Sequence, residues 1–268
     1  MTIAIGILVS DGVIIAADRE ESYGDLKSDT GKISASVKLV HPFGQLAVTG
    51  AGSGPHLDEV GELLREAHRA SPAFTTVDAV KSMLRKSHRD YYRETVLPIP
   101  LRERPSYHLL IGWCSPFGKC LWSTSGLAFD TIHDYGAVGT GDAVAMGLLG
   151  TLYDNIPAKY AAMLAAYVVY QTKVSVKDCG LGTDIIILRR DGVYESISSV
   201  IVRQWEDVFR YYVNMERNAF HYCIGVETEQ ANLYRTKLGK EPLATQLDNL
   251  RAAFARIESP KSAEKRGE

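Results

Sequence analysis

Thr2 is the first residue of this chain equipped for chemistry. Met1 is expected to be removed because the residue after it is small, which leaves Thr2 carrying both a hydroxyl and a free α-amine. An α-amine titrates near ~7.7–8.0, so at neutral pH it can take the proton of its own hydroxyl, and one residue becomes nucleophile and general base. Asp18 closes a second apolar run that turns back alongside the first, which returns its carboxylate toward Thr2. Lys38 opens a further run, and an ammonium placed near Thr2 would favour the deprotonated hydroxyl and amine. Gly50-Ala51-Gly52 then stands between a strand-like and a helical run, so its N–H groups and the helix N-terminus behind them suit a developing oxyanion. Those parts together describe acyl transfer.

The elements that must hold these groups are readable in outline. Ile3, Ile5, Ile7 and Val9 alternate with small residues before Asp11-Gly12, and residues 13–18 follow as a second strand. That second strand is apolar or small on both faces, which predicts burial on both sides. Residues 19–37 read as polar and irregular, and a short strand pair is expected over 38–40 and 45–49. Helical spacing begins after Gly50 with Leu57, Val60, Leu63, Leu64 and Ala67, and a second helix is expected from Thr76 to about Tyr92. Strands return at 107–113, 119–123 and 128–133. A third helix opens at 139–142 and a fourth at Pro157, before strands at 183–188 and 193–197 joined through Asp191-Gly192. Strands, two helices, strands, two helices and strands make an α+β plan with paired helices outside central sheets. From about residue 199 only helix is expected, and Leu243, Leu247, Leu250, Phe254 and Ile257 form an apolar stripe that either folds back or docks on another subunit. The charged residues 259–268 read as a frayed tail.

The ordered set of motifs resembles the proteasome β-subunit and bacterial HslV-type peptidases, a branch of the N-terminal nucleophile hydrolases. The matching runs are Thr2-Ile-Ala-Ile-Gly6, Asp11-Gly-Val-Ile-Ile-Ala-Ala-Asp18-Arg19, Lys38-Leu39, Thr49-Gly50-Ala51-Gly52, Ala137-Val-Gly139-Thr140-Gly141 with Ala145-Met-Gly147, and Gly180-Leu-Gly182-Thr-Asp184-Ile-Ile-Ile-Leu188. The resemblance implies a four-layer αββα sandwich over 1–198, with a helical C-terminal extension over 199–268 that fits stand-alone bacterial homologues of the Anbu type. It implies Thr2 as nucleophile, Asp18 and Lys38 as the charge pair that tunes it, and Gly50 as the oxyanion donor, with Arg19, Thr140, Asp178 and Cys179 in support. Lys32, before Ile33, presents the same pattern as Lys38; Lys38 is preferred because its spacing of 12 to Gly50 leaves room for one short hairpin. Thr140 stands where the family has Ser, and in Val176-Lys-Asp178-Cys179-Gly180 a Val and a Cys occupy the family's Asp and Ser places. No propeptide is expected, and no cofactor or metal. The implied activity is a threonine peptidase acting on peptides or unfolded proteins, working as a homo-oligomeric ring and leaving room for an unfoldase partner. A non-catalytic ring or scaffold protein and a small-molecule amidase are the alternatives.

Composition sets the boundaries. With 268 residues, a net charge of −2 and 46% hydrophobic residues, the chain falls outside fibrous, disordered and strongly cationic classes, so neither nucleic acid nor an acidic partner is expected. The first apolar run has no preceding Lys or Arg, and the run at 160–170 is about half a membrane span, so a cytoplasmic protein without a membrane segment is expected. Cys114, Cys120, Cys179 and Cys223 form no Cys-x-x-Cys pair; Cys114 and Cys120 flank a turn and are expected to be reduced. The seven His show no metal-ligand spacing. A phosphate loop at Gly50 is disfavoured, since Pro55 stands where a dinucleotide loop has its third Gly and no Gly-Lys-Ser/Thr occurs.

Overall fold

The computed structural model describes residues 2–23, 26–38, 44–71, 76–177, 179–223 and Ala252. The chain divides into two compact units, 1–199 and 200–268.

The first unit is built on β1 (Ile3–Val9) and β2 (Gly12–Asp18), an antiparallel hairpin in which Val9 pairs with Gly12. The turn is therefore Ser10-Asp11, one residue earlier than the Asp-Gly dipeptide suggests, and Gly12 belongs to the strand. Glycine is needed there for close approach rather than for a positive φ: a Cβ would lie 2.1 Å from the Leu188 carbonyl oxygen of the next strand. After β2 come β3 (Glu20–Tyr23) and β4 (Leu26–Asp29), a two-stranded hairpin in the stretch expected to be irregular. Its residues carry no apolar alternation, so periodicity had nothing to register.

Next are β5 (Ser34–Lys38) and β6 (Gly44–Gly52), paired antiparallel from Ser34–Val48 to Lys38–Gly44. The expected strand at 38–40 thus ends where it was to begin, and residues 39–43 lie outside the described residues. Two helices follow, α1 (Gly54–Ala70) and α2 (Val77–Tyr91), the second capped by the Thr76 hydroxyl on the Ala79 N–H and extended by a π turn over Tyr92–Val96. The chain returns through β7 (Tyr107–Ser115), β8 (Gly118–Ser125), β9 (Ala128–Ile132) and β10 (Tyr135–Gly139). β10 was not foreseen; its Gly and Ala residues give a weak strand signal. Then come α3 (Asp142–Leu152), α4 (Ala158–Ser175), β11 (Thr183–Arg189) and β12 (Tyr194–Ser196).

The strands form two five-stranded sheets, ordered β10-β1-β2-β11-β12 and β5-β6-β7-β8-β9. The sheets face each other; α1 and α2 cover one and α3 and α4 the other, giving the αββα sandwich expected from the sequence. The alternation of β1 serves two neighbours. Ala4 faces the opposing sheet, in a cluster with Val13, Ala47, Leu110 and Leu121, while Ile3, Ile5 and Ile7 take the other face, toward α3 and α4. A second core lies under α1 and α2, where Val60, Leu64, Val80 and Leu84 meet Leu109, Ile111, Trp113 and Trp122. Cys114 pairs with Lys119 and Cys120 with Trp113, so the two thiols sit on opposite faces of their hairpin, and both are free. The second unit is described as α5 (Ser199–Cys223) and Ala252; the stripe from Leu243 to Ile257 otherwise lies outside the described residues. No described helix is long and apolar enough to cross a membrane.

His88 on α2 gives this fold an acid sensitivity. It is fully buried among Tyr92, Tyr107 and Phe129, and burial, reinforced by the Arg89 charge, lowers its pKa to about 4. The folded state resists a proton that the unfolded chain accepts below pH ~6.5, so stability falls as pH drops from 6.5 toward 4. The full loss is about 3 kcal/mol, from the shift in pKa. Urea unfolding at pH 7 and pH 4 is expected to show this loss, and His88→Leu to remove it.

Candidate active site

Thr2 immediately precedes β1, Asp18 ends β2, and their adjacency follows from the hairpin. Thr2 is 5% exposed and Asp18 fully buried. The Thr2 hydroxyl donates to Asp18 Oδ1 at 3.0 Å, and the Ile3 N–H donates to the same oxygen at 3.1 Å. The other carboxylate oxygen accepts from the Gly180 N–H at 3.0 Å. Asp18 is thus held by the strand beside it and by the loop that leads into β11, rather than by Arg19, which pairs instead with Asp29 at 2.7 Å and Asp184 at 3.8 Å.

The cation at this site is Lys32. Its Nζ donates to the Thr2 hydroxyl oxygen, to Asp18 Oδ1 at 3.1 Å and to the Glu20 carbonyl, so each of its three N–H groups has an acceptor. The expectation for Lys38 is corrected. Lys38 pairs with Gly44 at the end of β6 remote from Gly50, roughly 20 Å along the strand at the usual rise per residue. The physical reason lies in β3 and β4. They fold 20–29 back on itself, the Thr30 N–H bonds the Arg19 carbonyl at 2.9 Å, and residue 32 arrives beside residue 18.

Gly50 and Gly52 line the same cavity as Thr2, at the end of β6 where α1 begins. The cavity measures about 690 Å³ and also takes in Thr30, Leu57, Asp58, His108, Thr140 and Asp142. Thr140 contributes backbone: its N–H donates to the Thr2 carbonyl at 3.0 Å. Gly139 before it has φ +119°, and a Cβ there would lie 2.0 Å from that carbonyl, so only glycine lets β10 approach the start of β1. Cys179 is buried beside Gly141, and its thiol is pushed up to about 12 by burial and then by the Asp18 charge, which keeps it protonated. Asp178 lies outside the described residues. Glu20 and Gly180 are the partners that residue reading missed. Glu20 acts through its carbonyl and Gly180 through its N–H, and backbone groups leave no mark on residue type.

The site therefore sets a hydroxyl between a carboxylate and an ammonium, at the edge of a cavity whose far wall is a strand-to-helix turn. No protein-family model matches the chain. It is 24% identical over 197 residues to a proteasome subunit beta of Nanoarchaeum equitans, a match spanning 72% of this chain and 95% of that one. A proteasome subunit beta of Halorubrum lacusprofundi is 25% identical over 199 residues, spanning 72% and 75%. Over most of its length the chain is thus similar to proteasome β-subunits. Its fold is that of the Anbu (ancestral beta-subunit) proteins. The Yersinia bercovieri structure aligns with a TM-score of 0.64 at 16% identity, covering 79% of this chain and 94% of that one. A Gly-1 mutant of Anbu from Hyphomicrobium sp. strain MC1 aligns at 0.65 and 15% identity, covering 85% and 99%. The share of the chain aligned with these relatives is comparable in length to its first unit.

Proposed function

We propose that the chain is a threonine peptidase whose nucleophile is Thr2, freed by removal of Met1. The observation that carries this reading is the setting of the Thr2 hydroxyl, bonded to Asp18 and to Lys32 at the wall of a cavity shared with Gly50. Thr2 Oγ attacks a peptide carbonyl carbon while the α-amine takes the hydroxyl proton. Gly50 N–H stabilises the oxyanion, and Lys32 and Asp18 lower the cost of charge on Oγ. The C–N bond breaks as the α-ammonium returns its proton to the leaving amine, and an ester on Thr2 remains. Water, deprotonated by the same amine, then hydrolyses that ester.

The substrates are peptides or unfolded chains, and the working form is a closed homo-oligomer, with an unfoldase as a further partner. Support for assembly comes from relatives: one structural neighbour is described as a helical assembly of the Anbu complex from Pseudomonas aeruginosa. Arg19, Asp178 and Cys179 support the site from outside the reacting atoms, and residues 199–268 supply contacts between subunits. The test is intact mass followed by labelling with a peptide aldehyde. Loss of Met1 and an adduct mapped to Thr2 are expected. A retained Met1, or an adduct elsewhere, overturns the mechanism. An adduct combined with turnover of simple amides but not of unfolded casein identifies a small-molecule amidase instead, and no turnover of either identifies a scaffold.

A further inference from the structure

Tyr91 closes α2 and is buried, at 6% exposure, and its hydroxyl stands behind the cavity wall rather than in it. That hydroxyl holds the first turns of α1. It lies 2.8 Å from His56 Nδ1 and donates to Glu59 Oε2 at 2.9 Å. Burial first, and then the bond to Glu59, push the Tyr91 pKa up, so the hydroxyl keeps its proton. Its one proton goes to Glu59, so the other bond runs the opposite way, with His56 Nδ1–H donating to the Tyr91 oxygen. The His56 ring also lies parallel to that of Tyr107, at 8° with 6.4 Å between centroids, and Tyr107 pairs with Gly52 across β7 and β6. The start of α1 is therefore gripped from α2 and from β7.

Leu57, the next residue, carries that grip to the cavity. It packs on Gly50, where a Cβ would lie 2.7 Å from Leu57 Cδ2 and 2.4 Å from the His108 carbonyl oxygen. The Leu57 N–H bonds the Ser53 carbonyl and the Ser53 N–H bonds the Ser106 carbonyl, each at 3.0 Å. Gly50, Ser53 and Leu57 all line the cavity that holds Thr2. A donor aimed at a developing oxyanion acts only where its position is fixed before the reaction begins.

We infer that Tyr91 is a positioning residue for the oxyanion turn: through His56 and Glu59 it seats the start of α1, and through Leu57 it fixes where the Gly50 N–H points. This role rests on the reading of Thr2 as nucleophile and Gly50 as oxyanion donor. It gives the buried hydroxyl at the end of α2 a part in the chemistry without any contact with substrate.

Tyr91→Phe in the full chain removes one oxygen and keeps the ring. Its kcat on fluorogenic peptides is expected to fall about tenfold with KM unchanged, since a misaligned donor costs less than a missing one. A peptide aldehyde, whose adduct places an oxygen where the oxyanion forms, should lose affinity by the same factor, while the matching peptide acid binds as before. Amide hydrogen exchange over 50–57, read by mass spectrometry, should quicken by about tenfold without any need for turnover. His56→Leu is expected to behave like Tyr91→Phe. His56→Asn, whose amide N–H can take the place of Nδ1–H, should stay close to the parent in kcat and in exchange. A Tyr91→Phe variant that melts lower but keeps its kcat and aldehyde affinity overturns the proposal, as does a loss of kcat with exchange over 50–57 unchanged. If Thr2→Ala is inactive and Tyr91→Phe changes neither kcat nor exchange, the positioning role alone falls. If Thr2→Ala keeps its turnover while exchange over 50–57 still responds to Tyr91, the nucleophile assignment falls and the brace on the turn stands.

Discussion

Thr2→Ala is expected to reduce peptide hydrolysis by about 10³-fold or more. The substitution keeps the backbone and the α-amine and removes the one atom that would form the ester. Nothing in the fold depends heavily on that atom. The Thr2 carbonyl remains bonded to Thr140 N–H, Asp18 keeps the Ile3 and Gly180 N–H groups, and Lys32 keeps Asp18 and the Glu20 carbonyl. Chemical denaturation should therefore show a loss of about 1 kcal/mol, the value of one hydrogen bond. Thr2→Ser retains the nucleophile and is expected to retain measurable turnover. Measured kcat/KM on fluorogenic peptides settles the point: unchanged turnover in Thr2→Ala rejects the assignment outright.

The second large effect separates two lysines that look alike in the sequence. Lys32→Met should abolish most turnover and also destabilise the fold by about 3 kcal/mol, because it strands a fully buried carboxylate whose cation is removed. Lys38→Met, at the far end of β5, is expected to change kcat/KM less than twofold. Equal losses in the two variants, or a loss confined to Lys38, would return the site to the lysine favoured by spacing alone. The double readout matters because a purely structural salt bridge would lower stability and leave the residual kcat/KM of the folded fraction intact.

The contrast between these lysines marks how far residue order reaches. The Thr2–Asp18 contact was legible because a tight turn between two apolar runs leaves a chain almost no alternative: β1 and β2 must pair, and the ends of the pair must meet. The turn itself was off by one residue, and Gly12 serves close packing against β11 instead of the bend. Helices α1 to α4 were legible from their apolar spacing and from their openings at Gly54, Thr76, Asp142 and Pro157. The hairpin of β3 and β4 was not, since its polar residues carry no period-two signal in residue type. Missing it misplaced the cation, because counting residues through an unrecognised hairpin overestimates how far the chain travels.

Local order along the chain, then, determined the meeting of Thr2 with Asp18, the glycine turn beyond them and the layered α+β plan. Each of those depends on neighbours in sequence or on one strand pairing with the next. The identity of the lysine, the part played by Gly180 and the burial of Glu20 were decided by contacts between segments 12 to 162 residues apart. Such contacts form between a side chain and a backbone group, or between two backbones, whose meeting depends on how whole sheets pack. No pattern of residue types records that packing until the chain has folded.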